Sequence, residues 1–201
     1  MPAMPARLAS LVRYASSGSR ACWVCRVVLV VVVAQARRAG QAAARPTRTA
    51  ITGNGFRDLI AAYIHHQYGE HGLVVYREVN LGKTIIAKDR QIDVFVMRPA
   101  DQKAIAIECK YQDVQGTADE KIPYALDDLA ALWVPGCLVY AGRGWSKGVL
   151  HQLEASRLAA YCLPERPNLS RSRATRELDY VVAATFGFWE QILPAAKRYK
   201  R

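Results

Sequence analysis

Apolar positions follow a helical rhythm first. From Phe56 to Tyr68 they fall at 56, 59, 60, 63 and 64, the i, i+3, i+4 spacing of one buried helix face. Leu73 to Val79 predicts a strand, and Asn80-Leu81-Gly82-Lys83 a turn into Thr84-Ile85-Ile86. Ile92, Val94 and Val96 then alternate with Asp93, Phe95 and Met97, a second strand. Pro99 to Gln102 predicts a hairpin turn into Ala104-Ile105-Ala106-Ile107, which runs on to Glu108-Cys109-Lys110. Apolar residues at 122, 125, 126, 129 and 132 give the next helix a buried stripe, with Thr117 and Glu120 spaced as a capping box and Pro123 in its opening turns. Cys137 to Tyr140 predicts a buried strand, Lys147 to Leu158 a helix capped by Ser146, and Asp179 to Tyr199 an apolar helix-like segment. The pattern predicts an α/β protein: a central mixed β-sheet flanked by α-helices, in the order helix–strand–strand–strand–helix–strand–helix.

Composition changes the picture mainly at the ends. The formal charge is +11 over 201 residues, but residues 1–50 hold eight arginines and no acid. Residues 51–163 come to −1 and the remainder to +4, so the basicity lies in the tails and says little about the core. Residues 1–50 read as a disordered or targeting-like basic extension. The apolar run Val27 to Val33 is too short to span a bilayer, which needs about 20 residues. No stable membrane insertion is expected. Ala34-Gln35-Ala36 after it resembles a signal-cleavage site, so export is the alternative to a cytoplasmic protein or to an extension beyond the native start. Five cysteines without regular spacing make no disulfide framework, and Cys22-Trp23-Val24-Cys25 has no second ligand pair for zinc. Cys109, Cys137 and Cys162 fit small buried residues. His65, His66 and His71 read as a solvated helix end, because adjacent histidines diverge on a helix.

The chemistry concentrates on two strands. Residues i and i+2 of a strand share a face, so Glu108 and Lys110 project together. A neighbouring strand brings Asp93 alongside. Converging carboxylates suit a hard divalent cation, and a lysine beside it can orient a water or stabilise developing charge: the outline of metal-assisted phosphodiester hydrolysis. The plainer alternative is a surface ion pair of Glu108 with Lys110, worth little.

Asp93 followed by Glu108-Cys109-Lys110 on the next strand resembles the PD-(D/E)xK nuclease superfamily, restriction endonuclease-like proteins and junction resolvases among them. Ile92 stands where the name has proline. The resemblance covers roughly residues 52 to 163. It implies a nuclease-like core over 51–163, with residues 164–201 as a basic linker and a C-terminal helix packed on that core or at a homodimer contact. It further implies DNA as substrate and Mg²⁺ (Mn²⁺ as alternative) held by Asp93, Glu108 and the Cys109 backbone carbonyl. Lys110 and Gln112 complete the expected catalytic group. Glu78 is either a further acid of the cluster or an edge-strand charge, and Asp58 either reaches the metal through water or favours its helix N-terminus. Gly116 to Tyr124 is similar to a stretch after the catalytic strand in restriction-type members, which places Lys121 and Tyr124 near the DNA backbone. Arg143, Trp145 and Lys147 form a basic, aromatic loop suited to nucleic acid, with Ser146 as a helix cap in the plainer reading. The expected function is a metal-dependent DNA endonuclease; the alternatives are a junction-resolvase-type nuclease and a non-catalytic binding module of the same fold.

Overall fold

The computed structural model describes residues 51–199. The proposed leader, the Val27 to Val33 run and the Cys22/Cys25 pair lie outside the described residues.

The elements are α1 (Gly53–Tyr68), β1 (Val74–Lys83), β2 (Asp89–Arg98), β3 (Lys103–Tyr111), α2 (Ala118–Ala130), β4 (Gly136–Ala141), α3 (Lys147–Ala155), β5 (Ala159–Tyr161), α4 (Arg176–Phe186) and α5 (Trp189–Ile192). The five strands form one mixed sheet in the order β1-β2-β3-β4-β5. The first three are antiparallel neighbours; β4 and β5 add in parallel. The α/β expectation holds: helices flank a mixed sheet. β5 was not foreseen, because its three residues directly follow α3 and carry no alternation long enough to read.

Each sheet face has its own core. Ile105, Ile107 and Cys109 of β3 join Val94, Val96, Cys137 and Val139 beneath α1 and α4. On the other face Leu138 and Tyr140 pack with Ile122, Leu126 and Leu129 of α2 and Leu153 of α3. Glu108 is in register with Leu138 and Lys110 with Tyr140, so both project on the α2 face. Alternation along β3 thereby separates chemistry from the larger core.

Helix α4 belongs to that larger core through Leu178, Val182 and Phe186. Its buried Asp179 accepts hydrogen bonds from the hydroxyls of Tyr63 and Tyr68, both at 2.8 Å, and so ties α4 to α1. The C-terminal segment is not one helix. Gly187, at φ 81°, ends α4 in the left-handed conformation that glycine adopts without strain. The first hairpin also differs from expectation: β1 continues to Lys83, and the turn lies at Thr84–Lys88, closed by hydrogen bonds between Thr84 and Lys88.

Two caps behave differently. Ser146 accepts from the Val149 amide and caps α3, as expected. Thr117 makes no side-chain cap bond; Gln112 Oε1 instead accepts from the Ala118 amide at 3.1 Å and serves as the cap of α2. A side chain reaching from β3 outcompetes the local one because it is anchored at both ends. Among the described residues, no helix is long and apolar enough to cross a membrane.

Candidate active site

The site begins where two strands part. The β2–β3 ladder runs from Arg98↔Lys103 to Val94↔Ile107 and stops there; the next step would set Asp93 opposite Glu108. On the other side, the β1–β2 pairing passes from Arg77↔Val94 to Val79↔Ile92, and Glu78 between them has φ 55°. Asp93 thus sits at an interruption in both ladders. Its Oδ2 accepts the Cys109 amide at 2.8 Å, replacing a backbone partner with a carboxylate. A strand residue's N–H and C=O point to the same side, so the Cys109 carbonyl is directed toward Asp93 as well.

Lys110 Nζ donates to Glu108 Oε1 at 2.5 Å, with both side chains under a quarter exposed. Burial pushes the Glu108 carboxyl above its ordinary range; Lys110 opposes this, and the nearby Asp93 charge adds to it. Burial also acts to lower the Lys110 pKa, but the Glu108 carboxylate outweighs it and the net shift is upward. The ammonium is firmly charged, and its pairing keeps a largely desolvated carboxylate from standing alone. Two carboxylates and a carbonyl form an all-oxygen donor set, the kind that Mg²⁺ and Mn²⁺ take. The residues present therefore fit the divalent cation that the resemblance implies. Among the described residues, no group of three or more His, Cys, Asp or Glu side chains is arranged to hold a metal.

Glu108 and Lys110 open into a cleft of about 300 Å³ between the start of β2 and α2, which Lys121 and Tyr124 also line. Four of the expected residues thus share one cleft, with Asp93 and the Cys109 backbone beside it.

The others are placed elsewhere. Gln112 lies beyond the end of β3, buried, and its amide nitrogen donates to Asp119 Oδ1 (2.6 Å) and to the Gly144 carbonyl (2.9 Å). With Oε1 capping α2, its side chain is committed to joining three segments rather than to the cleft. Glu78 accepts from Arg57 Nη1 at 2.7 Å, and Asp58 from Arg77 Nη1 at 2.9 Å and Arg57 Nε at 3.2 Å. Those two acids form an ion-pair lattice between α1 and β1. The 142–146 loop is packed on the fold through its aromatic residue. Trp145 is buried, its indole donates to the Ala141 carbonyl at 3.1 Å, and its ring meets Tyr140 edge-on, so it offers no stacking face. Arg143 and Lys147 are exposed on that loop and at the start of α3, outside the cleft lining.

Comparison with known proteins settles the family. The sequence matches the PD-(D/E)XK nuclease superfamily domain over residues 52–189, more than half of the chain. The chain belongs to the PD-(D/E)XK nuclease superfamily. The match takes in α4, beyond the 163 limit of the resemblance, in keeping with the burial of that helix in the main core. No curated protein matches the chain. One solved structure, the crystal structure of a protein of unknown function, AF1548, is similar at 16% identity and a TM-score of 0.33, over 49% of this chain; the chain spans about half, 53%, of that structure.

Within this superfamily core, sequence reasoning missed one pair. Arg90 Nε and Nη2 donate to Asp128 Oδ2 and Oδ1 at 2.9 and 2.8 Å, a two-point ion pair at the cleft wall. Asp128 Oδ1 also accepts the Ile85 amide at 2.9 Å. Both residues left a signal. Arg90 continues the buried Ile92, Val94, Val96 alternation, and Asp128 lies four residues past Tyr124 on the same face of α2. A charge at a position patterned for burial calls for a partner.

Proposed function

We propose that this protein is a metal-dependent DNA endonuclease of the restriction endonuclease-like kind, working at the Asp93–Glu108–Lys110 group. The observation that carries the reading is the break in the β2–β3 ladder. It leaves the Asp93 carboxylate on the Cys109 amide, next to Glu108, whose partner Lys110 lies at hydrogen-bond distance, and this supports the reading. Asp93, Glu108 and the Cys109 carbonyl would hold Mg²⁺, or Mn²⁺ in its place. A cation there supplies Lewis-acid polarisation of a phosphoryl oxygen and acidifies a bound water.

The chain's own groups do the rest. Lys110 orients the attacking water or stabilises the charge that develops on the phosphoryl oxygens, an effect that is strong where water is partly excluded. Asp93 holds the Cys109 amide and so fixes the backbone between the two catalytic side chains. Lys121 and Tyr124, on the opposite wall, contact the DNA strand. Gln112 acts at one remove, setting the position of α2. Arg143 and Lys147 contribute phosphate contacts beyond the cleft, which position DNA without reading its sequence.

The test is plasmid cleavage by the full chain with Mg²⁺. Nicking or linearisation is expected, abolished by chelation and by Asp93→Ala, and slowed at least about 100-fold by Lys110→Ala, the usual loss when a transition-state electrostatic contact is removed. Cutting that survives in both variants would refute the assigned site. No cutting of plasmid or branched DNA by the parent chain would favour a binding module instead.

A further inference from the structure

One wall of the cleft has no part in the bond-breaking chemistry. Lys121, Tyr124 and Asp128 follow an i, i+3, i+7 spacing that puts them on one face of α2. Facing them is the start of β2, Asp89 to Ile92. The two walls are held at a fixed separation. Asp128 takes two hydrogen bonds from Arg90 and one from the Ile85 amide, so a single carboxylate fastens both β2 and the β1–β2 turn to α2. Arg90 and Asp128 are 7% and 13% exposed in their side chains, which leaves this clamp little freedom to open.

The clamp therefore sets the size of what can enter. A cleft of about 300 Å³ is at the small end of pockets that enclose a whole small molecule. It has room for one base and its sugar. Duplex DNA, a body wider than its own major groove of about 12 Å, can only lie across the mouth. The lining suits one nucleotide: Tyr124 is a half-buried aromatic residue of the wall and Lys121 an exposed cation beside it. Glu108 and Lys110 stand at the same cleft, so a nucleotide held there has its phosphate next to the proposed site of hydrolysis.

We infer that the cleft receives a single unpaired nucleotide of a DNA strand, its base stacked on Tyr124 and its phosphate neutralised by Lys121. Single-stranded, flapped or gapped DNA is then bound in preference to intact duplex, which is engaged only where one strand opens. The inference rests on the nucleic-acid side of the function proposed above and not on cleavage.

The experiment is a binding measurement on the full chain, in chelator so that nothing is cut. It follows the fluorescence anisotropy of a labelled oligothymidylate of about 16 nucleotides, the upper end of common single-strand site sizes, and of a blunt duplex of equal length. Salt is set at about 200 mM to suppress binding through phosphates alone. The single strand should bind more tightly than the duplex. Tyr124→Ala should weaken single-strand binding about tenfold, in the range of one lost base–aromatic stack, and by more than it weakens duplex binding; Tyr124→Phe should restore it. Equal binding of the two DNAs by the parent chain overturns the inference, whether or not the alanine variant folds. Equal weakening of both DNAs by Tyr124→Ala overturns it too. A single-strand preference without cleavage of plasmid, single-stranded or branched DNA refutes the nuclease reading alone; duplex cleavage without the preference refutes this inference alone.

Discussion

Glu108 and Lys110 were legible as a pair because a strand repeats every two residues, and no tertiary information is needed to put them on one face. The same parity extends to Gln112, whose side chain also meets α2, but there it is taken up by the helix start rather than by the cleft. β3 ends at Tyr111, and the Gln112 amide donates to the Ala141 carbonyl as a last rung beside β4. The side chain instead bridges Ala118, Asp119 and Gly144, and the Gly144 amide donates to the Gln112 carbonyl at 2.8 Å. The close approach requires glycine: a Cβ at Gly144 would stand 2.4 Å from the Val114 backbone, and one at Gly142 2.1 Å from the Gln112 carbonyl oxygen. Gln112→Ala should therefore cost about 2–4 kcal/mol of stability, from several lost hydrogen bonds at about 1 kcal/mol each and the buried partners left unpaired. Denaturant unfolding measures this. Turnover at a temperature where the variant is folded should stay within a few-fold of the parent; a loss comparable to that of Lys110→Ala would instead put Gln112 in the chemistry.

At the scale of elements, α2 matters most, because one face of it forms the second core and the next lines the cleft. Its apolar stripe was readable in the sequence; its attachment was not. The capping box pointed to Thr117, whereas the helix start is fixed by Gln112 and its far turn by Asp128. Both are long-range contacts, to which local spacing is blind. Arg90 holds the Asp128 carboxyl below its ordinary range through a two-point hydrogen bond, against the upward effect of burial. The sign follows from that depression. The unfolded chain binds the proton at about pH 3.9 and the folded chain only at lower pH. The stabilisation is thus complete above the unfolded value and is lost as pH falls through the folded one. Acid unfolding below about pH 4 should therefore lose part of its steepness in Asp128→Asn. At neutral pH, Asp128→Ala should destabilise by about 3–5 kcal/mol, since it leaves the Arg90 guanidinium buried and unpaired. Thermal and acid unfolding followed by circular dichroism read both effects; a neutral Asp128→Ala would mean that the clamp does not hold the cleft.

Across the molecule, the layered α/β architecture and its superfamily could be read from two features: the switch between 3.6- and 2-residue periodicity, and one acid followed by Glu-x-Lys. What could not be read was how the charged residues divide into separate groups. By sequence, Asp58 and Glu78 could either join Asp93 and Glu108 or stand apart as plain charges. In the fold, Arg57 and Arg77 claim the first two, while an interrupted ladder presents the other two beside the Cys109 backbone. The account thus centres on a single cation site made by Asp93 and Glu108, and calorimetric titration of the full chain with Mn²⁺ tests it most directly. One binding event is expected, weakened at least about tenfold by Asp93→Asn and by Glu108→Gln, since loss of even an outer partner of a metal ligand costs that much. Asp58→Asn should leave the titration unchanged. Binding that is undiminished in both Asp93→Asn and Glu108→Gln would contradict the site, and with it the mechanism built upon it.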